Sequence, residues 1–380
     1  MEKPAARSPV PDFFSRHAAT LITVILVLIV LGVLTLCGGL AYLLIARSRP
    51  VTLPAPTGTY PVGRTIISWK DARPDLLAEG TPKSREYVVF LWYPAQIDST
   101  AKIAPYLPKD WTQARTNDQG MGAVFQQDPS TVQAHAYQDA PLAESATPFP
   151  VLIFEPGYGP IATDYTTLAE DLASYGYVVA GITPLESAPV AVLPDGTVIT
   201  RTPAGSLPET TGASFEQAAN QLIATWISDM RSTWTKLHTM NRDPGMWQGR
   251  LDMAKTGFFG HSFGGAAAIN TCNAQSECKA AANLDGTLYG PVLSDGFHKP
   301  TLLIWAQKNP GASIEKLSRS GPAEVQTQVL NGARHYNFTD QSLVFDPLLH
   351  LAGLVGPANP AETLKTVRIA LREFFDTRLK

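Results

Sequence analysis

The sequence predicts an α/β fold: a mostly parallel, eight-stranded sheet flanked by helices and preceded by one N-terminal transmembrane helix. Three observations predict it. Phe149–Phe154, Ala162–Tyr175 and Tyr177–Ile182 read as strand, helix and strand, the spacing of a parallel crossover. Lys255–Gly260 reads as an apolar strand that breaks at glycine, presents Ser262 and continues into the small-residue helix opened by Gly265 and Ala266. Finally, Ala18–Ala46 carries no charge at all.

Taken in order, residues 1–19 are short, mixed in charge and proline-containing, and read as a disordered tail with Lys3, Arg7 and Arg16 as its cations. Within residues 20–46, Leu21–Ile45 would be roughly 37 Å long as a helix, enough to cross a hydrocarbon core of about 30 Å. A cleaved signal peptide has a shorter apolar region, and no small-residue cleavage site follows this one. An uncleaved anchor is the expectation, with the tail inside and the large domain outside, although Arg47 and Arg49 nearly balance the tail's cations. Residues 47–60 are proline-rich and polar and read as a semi-extended spacer. The domain then occupies residues 61–380.

Pro61–Trp69 and Arg85–Tyr93 are rich in β-formers and predict an opening antiparallel pair. Residues 95–147 are irregular and read as an excursion near the rim of the site. After the crossover comes a second irregular insertion, 185–213, then a long helix over Ser214–Met240 with Leu222, Trp226, Met230 and Leu237 on or near one face. Strands are expected at Ala280–Leu284, Pro300–Ala306 and Val325–Leu330, and a closing helix at Pro360–Leu379. Cys272 and Cys278 flank a short polar loop and predict a disulfide, two free thiols being the alternative. Leu343–Val355 is apolar and reads as core, or as an acyl-lining or interfacial segment.

Gly260-His261-Ser262-Phe263-Gly264 fits G-x-S-x-G. In α/β-hydrolases this pattern makes a sharp strand-to-helix turn that holds a nucleophilic serine above the sheet edge. A serine hydroxyl needs a base, and an imidazole serves when a carboxylate fixes its tautomer. In this fold the order is serine, acid, histidine. His298 precedes a strand, at the wrong end, and His350 sits in an apolar run and reads as packed, whereas His335 follows the last strand. Asp285 ends the strand after the serine helix and is preferred as the acid over Asp295 and Asp340. His261 adjoins the serine but points away from it and is expected to pack beneath the turn. The N–H of Phe263 and that of Tyr158, in the glycine-rich turn after Phe154, are the candidate oxyanion donors.

These residues carry a resemblance. Gly260–Ala266, Asn283–Gly286, His335–Asp340, Trp92–Ala95, Pro156–Gly159 and Leu172–Val178 together resemble the plasma and type II intracellular platelet-activating-factor acetylhydrolases and their bacterial relatives, close to the dienelactone hydrolases. The resemblance covers roughly residues 60–380 and departs from the family at Glu155-Pro156. It implies Ser262 as nucleophile, Asp285 as acid, His335 as base, and calcium-independent cleavage of carboxylic esters, often short or oxidised acyl chains on phospholipids. The expected partners are a small-molecule or lipid ester and, through residues 20–46, a membrane. No cofactor or metal is expected, since no Cys-x-x-Cys pair is present, and a formal charge of −3 with a pI near 6.2 argues against nucleic acid. The alternatives are a catalytically silent binding protein of this fold, or a hydrolase of amides or polyesters.

Overall fold

The computed structural model describes residues 13–80, 83–209, 212–306 and 323–380. The chain divides into two compact units, Met1–Arg49 and Pro50–Lys380. In the first, helix α1 (Phe13–Arg47) begins inside the stretch expected as tail, whose residues 1–12 lie outside the described ones. Within Thr20–Arg47 its most apolar 18-residue window has a mean hydropathy of 3.0, and no residue of that window is buried. By length and composition it meets the requirement of a membrane span, and also of a signal sequence.

The second unit is built on a nine-stranded sheet. Its strands are β1 (Val62–Pro74), β2 (Ser84–Pro94), β3 (Tyr137–Gln138), β4 (Phe149–Glu155), β5 (Val178–Thr183), β8 (Leu251–His261), β9 (Cys278–Leu284), β10 (Thr301–Trp305) and β11 (Val325–Val329). A separate hairpin, β6 (Val190–Val192) with β7 (Val198–Thr200), lies within the insertion after β5. The sheet order is β11-β10-β9-β8-β4-β5-β2-β1-β3. Neighbours run parallel except where β2 joins β1 and β5. The sheet is mostly parallel, as expected, but the expected eight strands are corrected to nine among the described residues. The extra strand is a two-residue edge, too short to show a period in sequence.

Helices α2 (Lys109–Gln119), α3 (Thr166–Ser174), α4 (Ala213–Arg242), α5 (Ser262–Ala274) and α6 (Pro360–Leu379) accompany the sheet. Every residue of β4 and of β5 is buried, the pattern of strands covered on both faces. On α4 the buried positions Ala219, Leu222, Ile223, Trp226, Met230, Thr233 and Leu237 recur at helical spacing, so the stripe is core. Asp229 sits in the same stripe because Arg85, itself buried, reaches it at 2.6 Å and also binds Glu186 at 2.7 Å and Asp75 at 3.1 Å. Helix α5 lies close to the sheet because its first turns are glycine and alanine; a Cβ on Gly265 would stand 2.1 Å from Asn283 Oδ1. The expected bridge between Cys272 and Cys278 forms, with Cα atoms 5.3 Å apart, and ties the end of α5 to the start of β9.

Residues 51–60 are not a free spacer. Leu53 is buried, the Thr57 N–H and hydroxyl both donate to Asp171, and Arg368 donates to the Ala55 carbonyl. A proline-rich strip has few backbone groups paired with itself, which leaves them open to such partners.

Candidate active site

Strand β8 delivers Ser262, whose φ of +54° is unusual for a residue with a side chain. Such a position costs about 1–3 kcal/mol, and surrounding glycines make it attainable. A Cβ on Gly260 would approach the Gly264 backbone to 2.3 Å, and one on Gly264 would stand 2.2 Å from the Glu155 carbonyl. The sharp turn therefore depends on both glycines.

Asp285, at the end of β9, is also held at positive φ, +51°. Asn283 clamps this turn, accepting from the Gly286 N–H at 2.9 Å and donating to the Gly286 carbonyl at 2.8 Å. One Asp285 oxygen accepts from the Ala306 N–H at 2.8 Å. The other lies 2.7 Å from His335 Nδ1, and His335 Nε2 lies 2.9 Å from Ser262 Oγ. With the carboxylate on Nδ1, the proton belongs there and Nε2 faces the hydroxyl as an acceptor. His335 opens a short 3₁₀ turn that Asn337 secures by accepting from the N–H groups of Arg334 and Gly356.

His261 packs beneath this arrangement, fully buried, its ring 4.4 Å from that of His335. Its Nε2 lies 3.0 Å from the His335 carbonyl, so Nε2–H donates there and Nδ1 accepts from the Tyr165 hydroxyl at 2.7 Å. The same hydroxyl accepts from the Gly157 N–H at 3.0 Å. A buried chain thus joins the His335 loop to the turn that carries Tyr158. Burial holds His261 well below the usual histidine range, which keeps it neutral.

Tyr158 and Phe263, the expected backbone donors, line one cavity of about 930 Å³ together with Ser262, Asp285 and His335. The Phe263 N–H is in the first turn of α5 and has no acceptor within its helix. Glu155, where the sequence departs from the family pattern, is fully buried, and burial pushes its carboxyl well above the usual range. That burial favours its neutral form.

Several expectations are corrected. Residues 95–147 carry α2 and do not line this cavity, because β2 runs antiparallel to β5 and its end emerges at the opposite sheet edge. The insertion 185–213 does reach it, through Arg201, Ser206, Leu207 and Pro208. His350 is exposed rather than packed, and so are Leu348 and Leu351, on a short helix at the surface. His298 is exposed and bonded to the Asp295 carbonyl. Asp340 is buried and accepts from the Thr167 N–H, while the carboxylate on His335 is that of Asp285. Part of the loop after β10, residues 307–309, lies outside the described residues. Sequence reading missed Asn283, Tyr165 and Arg201. Only Asn283 left a trace, as an amide two residues before the acid in a turn closed by glycine. Among the described residues no group of three or more His, Cys, Asp or Glu is arranged to hold a metal ion.

Known proteins share this architecture and sequence. A family model described as platelet-activating factor acetylhydrolase, isoform II, matches residues 45–190 and 232–380. The platelet-activating factor acetylhydrolase of Cavia porcellus is 26% identical over 328 residues, spanning 78% of this chain and 71% of that protein. That of Gallus gallus is 24% identical over 372 residues, 86% of this chain and 83% of that one. Among solved structures, a ferulic acid esterase from Streptomyces cinnamoneus matches with a TM-score of 0.71 at 26% identity, covering 87% of this chain and 93% of that one. The chain belongs to the platelet-activating factor acetylhydrolase, isoform II, family and is a carboxylic ester hydrolase with an α/β-hydrolase fold.

Proposed function

We propose that the protein hydrolyses carboxylic esters through Ser262, His335 and Asp285. His335 Nε2 takes the Ser262 proton as Oγ attacks the ester carbonyl, and the carbonyl oxygen gains charge facing the N–H groups of Phe263 and Tyr158. Collapse of the tetrahedral species passes the proton from His335 to the leaving alcohol and leaves an acyl-Ser262. Water, deprotonated by His335, then releases the acid. Asp285 holds Nδ1–H and stabilises the imidazolium. The observation that carries this reading is the unbroken contact from Asp285 through His335 to Ser262, 2.7 and 2.9 Å, opening on a cavity.

A fluorophosphonate probe should label the wild-type chain and not Ser262→Ala, with ester turnover falling by several orders of magnitude. Undiminished turnover by the alanine variant refutes the assignment.

The substrate is a small-molecule or lipid ester with a short acyl group, in line with the acetylhydrolase relatives. A second reading, a hydroxycinnamate ester, is favoured by the ferulic acid esterase match and by Phe215, Tyr289 and Trp305 in the cavity lining. Initial rates on an acetyl phospholipid, p-nitrophenyl butyrate and methyl ferulate separate the two. Residues 20–46 anchor the chain in a membrane, with the catalytic unit on the oxidising side, where the Cys272–Cys278 bridge persists. The catalytic domain assigned to residues 61–380 includes the docked residues 51–60 as well. Retention of the full chain in the pellet after alkaline extraction, and its release on deleting residues 1–49, tests the anchor.

A further inference from the structure

Arg201 follows the β6–β7 hairpin and lines the cavity at Ser262. Its guanidinium is fixed from two sides. Nε donates to the Ser187 carbonyl at 2.8 Å, and the guanidinium carbon stands 4.4 Å over the ring centre of Tyr158. Tyr158 is itself held, its hydroxyl accepting from the Leu207 N–H at 3.0 Å. The cation–π contact and the single bond restrict the side chain without using its two terminal nitrogens, which have no hydrogen-bond or ion-pair partner among the described residues.

That state contrasts with other arginines of the domain. Arg85, Arg115 and Arg368 each meet a carboxylate within 4 Å. Of the carboxylates lining the cavity, Asp285 is committed to His335 and the Ala306 N–H, and Glu209 is exposed. A half-buried, oriented guanidinium with an open fork of N–H groups matches a carboxylate or phosphate in bidentate fashion. Because Tyr158 carries both the stacked ring and a candidate oxyanion donor, an anion held by Arg201 and a carbonyl held by the Tyr158 N–H would sit on two sides of one residue.

We propose that Arg201 determines specificity in this cavity by binding an oxyanion of the substrate, a carboxylate or phosphate close to the scissile ester. The proposal rests on the Ser262 reading above. The matched probes are p-nitrophenyl butyrate against mono-p-nitrophenyl glutarate, which places a carboxylate on the acyl side, and phenyl acetate against 4-acetoxyphenyl phosphate, which places a phosphate on the alcohol side. In the full chain in detergent, Arg201→Gln should lose roughly ten- to a hundredfold in kcat/KM on the anionic member of at least one pair, mainly through KM, the worth of a charge-assisted hydrogen bond. On the neutral members the change should stay within about threefold, the wild-type preference should weaken with added salt, and Arg201→Lys should recover part of the loss.

Which pair responds tells whether the anion belongs to the acyl or the alcohol portion. Equal losses on neutral and anionic esters mean a loop tether and overturn the proposal. So does a wild type that cleaves neutral esters but gains nothing from either anion. Neutral-ester turnover that survives Ser262→Ala would instead sink the underlying reading, so the two failures are distinct.

Discussion

Tyr165→Phe removes one oxygen and nothing else, yet that oxygen joins the two halves of the proposed site. In the wild type it accepts from the Gly157 N–H at 3.0 Å and donates to His261 Nδ1 at 2.7 Å. The phenyl ring can keep its edge contact with Phe154, 4.8 Å between centroids, so packing is preserved. Both former partners stay out of reach of water, since Gly157 is buried and His261 is 0% exposed. A buried polar group stripped of its partner costs about 1–3 kcal/mol, so two cost about 2–6 kcal/mol if neither relaxes. A domain stable by about 5–15 kcal/mol survives that, with a lower melting temperature. His261 cannot escape by changing tautomer, because its Nε2–H is committed to the His335 carbonyl. Catalysis should fall as well. Freed from Tyr165, the Gly157–Tyr158 peptide loses its fixed aim; removing an oxyanion donor altogether costs about a hundred- to a thousandfold, so misdirecting one should cost roughly tenfold, in kcat rather than KM. Urea unfolding and steady-state kinetics on the detergent-solubilised chain read both quantities. A stability loss below about 0.5 kcal/mol, the size of an ordinary surface change, together with unchanged kcat, refutes the coupling.

Three further outcomes follow from the same geometry. Asp285→Asn should keep the fold but lower kcat by roughly three to four orders of magnitude, since an amide can donate to Nδ1 and select the wrong tautomer; a loss under tenfold on any cleaved ester would count against Asp285 as the acid. Gly264→Ala should abolish fluorophosphonate labelling, because its Cβ meets the Glu155 carbonyl at 2.2 Å and the strand-to-helix turn must open; normal labelling contradicts that turn. Asp340 is pushed up to about 8, by burial first and then by Asp164 and Glu170 nearby, so the folded chain keeps a proton that the unfolded chain releases near pH 4. Its contribution to stability is complete below that pH and is lost as pH rises toward 8, by up to ~1.4 kcal/mol per unit. In Asp340→Asn, which retains an acceptor for the Thr167 N–H, the stability relative to wild type should therefore climb between pH 5 and pH 8, and a constant difference in melting temperature across that range would show the reasoning to be wrong.

How much of the site could be read from sequence follows from sheet topology. In a parallel sheet the carboxyl ends of the strands share one edge, and ligands bind in the crevice outside it. Tyr158 follows β4, the 185–209 segment follows β5, Ser262 follows β8, Asp285 follows β9 and His335 follows β11, and all five contribute to one cavity. The three side chains of the proposed mechanism were legible because each needed only two facts, a residue type and a strand to sit after. Arg201 satisfies the same rule but stands many residues beyond its strand, past a hairpin that brings it back over Tyr158, and no local pattern records that return. Tyr165 and His261 meet through a contact between residues 96 apart in the chain, with no signature in either segment. The misplaced excursion at 95–147 is the informative failure. It follows a strand as apolar as the others, but Trp92 in β2 pairs with Val179 and Val88 with Thr183, so the carboxyl end of β2 lies beside the amino end of β5. An insertion can face the site only when its strand runs with the serine strand, and direction, unlike strand propensity, is fixed by partners that composition does not name. The docking of residues 51–60 obeys the same limit: Thr57 and Ala55 are held by Asp171 and Arg368, from α3 and α6, and a proline-rich strip reads identically whether those partners exist or not.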